Sequence, residues 1–370
     1  EIKLKLICGQ KKLANAINNA QKAINNRTTI ELLRGILFST KEDMLTVTGY
    51  DNELCIETKI DASVSKAGKI VVNSKLVGDI IRKLPDSMVS IEVDEDYNMF
   101  ISCLNSRYKI KGINAEEFPV VADLETEKMI KFNQAEMRHM IRQTVFATAN
   151  EPVNPILAGE LIEVSEGHIN MAAVDGYRLA VRKSILEDSS SDDISVIVPG
   201  TTLNHLNSLL SDDGDFYMGV DPKNIVFVLG NTKITARLMD GNFTKYDSLL
   251  PKEYMSKVLV NTRNLRESVE RAALLFSSEK NNIIKVSVSS GMMVITANNE
   301  NGNAYEEINI ELEGEDLEIA FNSRYFLDGI KNIDSEFIEI ELGGPVNPCI
   351  IKPVDGVEYI YLILPVRVSN

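Results

Sequence analysis

Tryptophan is absent from the 370 residues, and histidine is nearly so, at three. His139, His168 and His205 show no HExxH spacing, so a zinc hydrolase of that type is excluded. Cys8, Cys55, Cys103 and Cys349 lie far apart with no CxxC pair. They supply neither a zinc site nor a disulfide framework, and no metal or cofactor is expected. No GxSxG, P-loop or GxGxxG segment occurs, so no catalytic residue is assigned and a non-enzymatic role is expected. Asp175, inside Val174-Asp-Gly-Tyr177, reads as a hairpin turn residue rather than a catalytic acid. Asp212-Asp-Gly-Asp215 opens like a calcium loop but lacks the later ligands and the bidentate Glu, so it too reads as a turn. Long apolar runs are missing: Tyr359–Val366 is too short to span a bilayer and contains Pro365. The first residues, Glu-Ile-Lys-Leu-Lys-Leu-Ile, alternate like a strand, unlike the continuous apolar block of a signal peptide. The first residue is not Met, as in a trimmed chain. Together these absences lead to the expectation of a soluble cytosolic protein in a reducing compartment, with no membrane partner.

Positive charge is the next shortage. Lys and Arg number 39 against 54 Asp and Glu, a net −15. A chain this acidic is not expected to hold nucleic acid with its whole surface, although a local basic stripe remains open to it. Hydrophobic residues at 44% and charged residues at 25% are ordinary for a globular protein, and the length fits two or three domains.

What the sequence does have is repetition. Ile70–Leu84, Val196–Leu210 and Ile319–Ile333 each run from a short apolar strand through Asn, Ser, Pro or Gly into apolar residues at helical spacing. Their starts lie 126 and 123 residues apart. A second family of helices is predicted over Gln10–Ile24, Asn133–Ala147 and Thr262–Phe276, each followed by an alternating hairpin region. Those regions are Leu45–Ile60, Ile162–Val181 and Ile284–Ile310. Three units of about 123 residues account for the chain. Each reads as strand, helix, strands, then strand, helix, strands, with short polar turns that favour antiparallel sheets. The expected fold class is α+β, two helices per unit packing on antiparallel sheets. Domain boundaries are expected near Ala122–Thr126 and Lys252–Ser256, giving domains 1–124, 125–253 and 254–370.

The six predicted helices carry 13 basic and 5 acidic residues, or +8, while the remainder of the chain carries −23. Helices facing one way would make a basic surface, and Asn15, Asn18, Asn19, Gln21, Asn204 and Asn207 read as its polar filler. Such a surface suits weak, salt-sensitive contact with duplex phosphates and needs no base-reading side chains. Charge alone fits ordinary solvated helix faces equally well.

Several segments, in this order and spacing, carry a resemblance. They are Arg27 with Ile36-Leu-Phe38, Ala173–Val181, Ile197-Val-Pro199, Met239–Phe243 with Leu249-Leu-Pro251, Ile295–Asn299, and Tyr361–Val368. From end to end the chain resembles the bacterial DNA polymerase III beta subunits, the replicative sliding clamps. The resemblance implies three DNA-clamp domains forming half of a ring, closed by a second copy head to tail around duplex DNA. It implies DNA contacts at Arg27 and Lys75, then at the lining residues Arg82, Arg138, Arg142 and Arg266, with Arg271 beside them. Glu151 stands where the family can place a polar DNA-contacting residue. It also implies a seam in which Tyr108 and Ile110 meet Leu274 and Leu275 of the other copy.

A partner-peptide cleft between the second and third domains is the remaining implication. Its wall would be built from Leu157, from Gly176, Tyr177, Arg178 and Leu179, and from Thr244 and Leu249. Asn322, Tyr325 and Val346 would add to it, with Leu362, Leu364, Pro365, Val366 and Arg367 from the last strand. Arg178 and Arg367 are expected on a polar rim, and Pro365 to leave backbone groups available to a bound peptide. Thr244, Ser248 and Tyr177 depart from Pro, Arg and His in relatives, which bears on which peptide is preferred. The implied partners are the polymerase catalytic subunit, the clamp-loader ATPase, and repair or replication proteins bearing a short clamp-binding peptide. The implied location is the bacterial cytoplasm at the nucleoid. A DNA-free peptide scaffold is the competing class; retention on nicked circular DNA separates the two.

Overall fold

A computed structural model describes residues 2–25, 27–119, 129–150, 153–186, 193–276, 282–300 and 302–367. Glu151 and the boundary expected at Ala122–Thr126 lie outside the described residues.

The first third holds β1 (Ile2–Gly9), α1 (Gln10–Gln21), β2 (Gly35–Lys41), β3 (Met44–Tyr50), β4 (Leu54–Asp61) and β5 (Ser63–Lys66). It continues through β6 (Lys69–Asn73), α2 (Ser74–Lys83), β7 (Met88–Asp94), β8 (Asn98–Cys103) and β9 (Ser106–Ile113). Among the described residues the middle third repeats this order without a counterpart of β5, beginning with β10 (Ile130–Asn133), α3 (Gln134–Thr144), β11 (Gly159–Ser165), β12 (His168–Val174) and β13 (Arg178–Ile185). After these come β14 (Ile194–Pro199), α4 (Gly200–Asn207), β15 (Asp215–Val220), β16 (Asn224–Leu229) and β17 (Thr232–Arg237). The last third has β18 (Ser256–Asn261), α5 (Thr262–Ala273), β19 (Ile283–Ser289), β20 (Met292–Asn299) and β21 (Gly302–Gly314). It ends with β22 (Leu317–Asn322), α6 (Ser323–Ile330), β23 (Phe337–Leu342), β24 (Cys349–Pro353) and β25 (Tyr359–Ile363). The fold is α+β, as the turn and strand pattern implies, and each predicted helix is present but ends earlier. Val145–Ala147 and Leu274–Phe276 tighten into 3-10 turns instead of continuing α3 and α5.

The chain packs as two compact units: residues 1–135 with 208–238, and residues 136–207 with 239–370. The first contains a 13-stranded sheet ordered β10-β15-β16-β17-β4-β3-β2-β6-β9-β8-β7-β1-β5. The second contains a 12-stranded sheet ordered β14-β11-β12-β13-β25-β24-β23-β18-β21-β20-β19-β22.

Helix starts explain themselves chemically. Asn73, Asn261 and Asn322 each accept a hydrogen bond from a backbone N–H in the first turn of α2, α5 and α6. Each such cap contributes about 1 kcal/mol by satisfying an otherwise orphaned donor. Apolar faces then seat the helices: Leu13 and Ile17 of α1, with Val77 and Ile81 of α2, close over Phe38 and Val47. Leu265 and Val269 of α5 and Phe326 and Ile330 of α6 share a core with Tyr361. Gly329 of α6 is required there, because a Cβ at that position would lie 2.1 Å from the Tyr361 ring.

Candidate functional site

In each unit, one strand pair welds two of the repeats. In the first unit β17 pairs antiparallel with β4, placing Thr232 opposite Thr58 and Ile234 opposite Ile56. In the second unit β25 pairs with β13 in the same way, placing Tyr359 opposite Arg182 and Tyr361 opposite Ala180. In both cases the last strand of one repeat joins the fourth major strand of the repeat before it in the chain.

The helix packed under each joint sends its tenth residue to the joint. Asn19 of α1 is buried and hydrogen-bonds the hydroxyls of Thr58 and Thr232, each at 3.4 Å. Those hydroxyls lie 3.0 Å apart. Gln143 of α3, also buried, accepts from Arg182 Nε at 3.0 Å. The equivalent residue of α5 is Arg271, which grips Glu306 of β21 with bonds of 2.9 and 2.6 Å. Glu306 falls in β21 where Thr58 falls in β4 and Arg182 in β13, facing Ile295 as they face Val47 and Met171. Asn19 is therefore a structural tie and not filler on an exposed face. Gln21 is another tie, donating to the Ser74 carbonyl at 2.7 Å. Nothing in residue type marks Asn, Gln and Arg as equivalents; only their shared tenth place in a helix does.

Two edges of this kind remain open. Residues 302–309 of β21 pair with β20, and residues 106–111 of β9 pair with β8. Among the described residues no strand covers the other side of either stretch. Tyr108 is 42% exposed on the β9 edge and Leu274 is 73% exposed at the end of α5. Ile110 is buried, and Leu275 packs partly on the core, within 3.9 Å of where a Cβ on Gly302 would lie.

The cations proposed for phosphate contact differ in their freedom. Arg27 follows α1 on an exposed turn and Lys75 is exposed in the first turn of α2, and neither holds an ion pair among the described residues. Arg82 is held by Asp79 at 2.6 Å and by Gln21 at 2.9 Å, and Arg142 by Asp334 at 2.9 Å. Arg266 stands 3.9 Å from Glu270, Arg138 is exposed on α3, and Arg271 is committed to Glu306. The positive charge of Arg82, Arg142 and Arg271 is thus partly neutralised where it sits.

The proposed cleft wall lies in the second unit. Leu179 and Leu362 are buried in one apolar cluster with Tyr246 and Ile350, and Leu157, Phe243 and Leu250 pack against it. Beside this cluster the Tyr177 and Tyr325 rings stand 6.0 Å apart, Tyr177 being 61% exposed. The left-handed backbone at Gly176, with φ of 93°, makes the turn that presents Tyr177. Asn322 is half-buried and spends its side chain capping α6, which orients Tyr325. Leu249, Val346, Thr244 and Arg367 are exposed.

Two expectations fail here. Arg178 is not on a rim: it is buried, with bonds to Asp175 at 2.9 Å, Asp328 at 2.7 Å and the Phe146 carbonyl at 2.9 Å. Its guanidinium also lies 4.4 Å from the Tyr325 ring centroid. Burying a guanidinium demands such partners, so Arg178 fastens the wall from behind. The backbone around Pro365 is not wholly available either. Leu364 N–H donates to the Tyr177 carbonyl at 2.9 Å, and Val366 N–H to the Ala320 carbonyl at 2.8 Å. Those bonds hold residues 364–366 against the wall, and Leu364 remains 39% exposed.

Three family descriptions match in chain order. The N-terminal domain of the DNA polymerase III beta subunit matches residues 4–122, the central domain 131–245 and the C-terminal domain 247–367. The beta sliding clamp of Staphylococcus epidermidis is 32% identical over 364 residues, covering 95% of this chain and 96% of that one. That of Staphylococcus aureus is 32% identical over 362 residues with the same coverage. The crystal structure of the Bacillus subtilis DNA polymerase sliding clamp superposes with a TM-score of 0.96 at 29% identity, covering 99% of this chain and 100% of that one. A Pseudomonas aeruginosa sliding clamp bound to griselimycin gives 0.92 at 28% identity, with the same coverage. With its repeated joints, its capped helices and these relatives along nearly its full length, the chain belongs to the DNA polymerase III beta subunit family, the beta sliding clamps.

Proposed function

We propose that two copies of this chain close head to tail into a ring that encircles duplex DNA and slides on it without reading sequence. The three repeats, taken as domains 1–124, 125–253 and 254–370, supply half of that ring. The observation that carries the reading is the pair of open edges. The joint between repeats is made twice within the chain, and among the described residues β9 and β21 are the corresponding strands whose outer sides, at residues 106–111 and 302–309, are left uncovered. Applying the internal register to a second copy sets Ser106 opposite Glu306, Arg107 opposite Tyr305, Tyr108 opposite Ala304 and Ile110 opposite Gly302. The apolar side chains then land beside Leu274 and Leu275. On the face away from the helices the edges are also complementary in charge, with Arg107, Lys109 and Lys111 on one and Glu307 on the other.

A ring holds DNA by enclosure, so its lining needs only weak, non-specific contacts, led by Arg27 and Lys75 and supported by Arg82, Arg138, Arg142 and Arg266. The protein performs no chemistry of its own. It tethers the replicative polymerase, and repair proteins carrying a short peptide, through the cleft formed by Tyr177, Tyr325, Leu179, Leu362 and Leu364. A closed ring requires an ATP-driven loader to admit circular DNA, and its place of work is the bacterial cytoplasm at the nucleoid. The test is topological. Protein loaded on a nicked plasmid by a clamp-loader ATPase should stay bound through gel filtration and leave when the plasmid is cut once. Retention on the linear product would mean adhesion and would reject the ring. Replacing Leu364 and Val366 by Ala should weaken binding of a labelled polymerase peptide about tenfold in a polarisation titration, with the dimer unchanged.

A further inference from the structure

The joint in the first unit carries a cleft that nothing above employs. It has a volume of about 960 Å3 on the sheet face turned away from α1 and α2. This is the position, one joint earlier in the chain, that the proposed partner cleft occupies in the second unit. Its chemistry is different. Where the second unit presents Leu179, Val181, Ile360 and Leu362, the first presents Cys55, Glu57, Lys233 and Thr235 at the equivalent register positions. The floor keeps apolar patches from Leu37, Met44, Val228 and Phe118.

Five lysines and three glutamates line the space, a local excess of positive charge on a chain of net −15. Lys233 is satisfied by Glu57 at 3.2 Å, and Lys3 sits 4.0 Å over the Tyr97 ring. Lys41, Lys59 and Lys69 hold no ion pair among the described residues. Glu42 and Glu116 stand among them, an interleaving that suits a chain with spaced carboxylates and apolar side chains better than a continuous polyphosphate.

We infer that this cleft is a second docking site, one that takes an extended acidic peptide with apolar anchors from a partner protein. It does so independently of the partner cleft in the second unit. The apolar anchors meet Leu37, Met44 and Phe118, and the carboxylates meet Lys41, Lys59 and Lys69.

The probe is a fluorescein-labelled decapeptide of alternating Glu and Leu, titrated into the full chain and followed by polarisation. The expected Kd is about 10–50 µM at low salt, weakening as salt rises. The double variant Lys41→Glu with Lys59→Glu should lose about tenfold or more. The Leu364→Ala, Val366→Ala pair should bind the probe as the parent does, so failure here is distinct from failure of the tethering reading. Hydrogen exchange should show probe-dependent protection within residues 35–60 and 114–119. Absence of saturable binding, unchanged affinity in the lysine variant, or equal binding of a Lys-Leu decapeptide would overturn the site. Tighter binding of labelled decathymidylate with the same lysine dependence would overturn the peptide as its occupant.

Discussion

The most instructive single residue is Glu160 of β11. It is fully buried, and among the described residues neither carboxylate oxygen has a hydrogen-bond partner. Burial pushes its carboxyl up to about 8. In the unfolded chain a glutamate ionises near pH 4.3. The folded state therefore holds a proton that the unfolded state gives up, and stability falls as pH rises from about 4.3 to about 8, then levels off. Urea denaturation of Glu160→Gln should show a midpoint close to the parent's at pH 4.5 and a clear gain by pH 8. Parallel curves at both pH values would show that Glu160 is not protonated in the fold. Arg178 is the opposite case, a buried charge that is fully partnered. Arg178→Ala removes the buried cation between Asp175 and Asp328, leaving Asp328 only Lys331 and Asp175 only backbone N–H donors among the described residues, and should cost about 3 kcal/mol in the same assay.

At the scale of elements, the caps were legible and the ties were not. Asn73 and Asn322 advertise helix starts because an Asn before an apolar periodic run has one common use. Asn322→Ala should lower stability by about 1 kcal/mol in urea. It should also weaken the polymerase peptide, because the first turn of α6 orients Tyr325. Undiminished peptide affinity would separate the cap from the cleft. Helix lengths were overread because Val145–Ala147 and Leu274–Phe276 keep apolar spacing after the α-helical bonds have ended. Asn19 was misread as exposed because helical spacing says which residues share a face, not which face meets a polar joint. Arg178 was misplaced for a similar reason: its buried partner Asp328 lies 150 residues away, and no local pattern carries that information.

On the scale of the whole molecule, the three-fold repetition was plain in the sequence. The way the repeats join was not, since strand pairing between repeats leaves no composition signal. The open edges make the assembly testable. Arg107→Glu with Lys109→Glu puts like charge beside Glu307 on the same face of the proposed seam, and should weaken the dimer at least tenfold. Light scattering at micromolar concentration should then approach the 41.2 kDa of a single chain. A variant that keeps twice that mass would move the seam elsewhere.

The joints at β17·β4 and β25·β13 have a tether that the proposed seam at β9·β21 lacks. Connected segments meet at an effective concentration in the millimolar range, whereas two separate chains meet only at their cellular abundance. For chains near 1 µM that is a difference of about 1,000-fold, or about 4 kcal/mol, between joints built alike. If the proposed ring forms, a loader pulling on it has no choice to make about where it parts: breakage falls at the untethered contact, and recoil afterwards restores the same two surfaces.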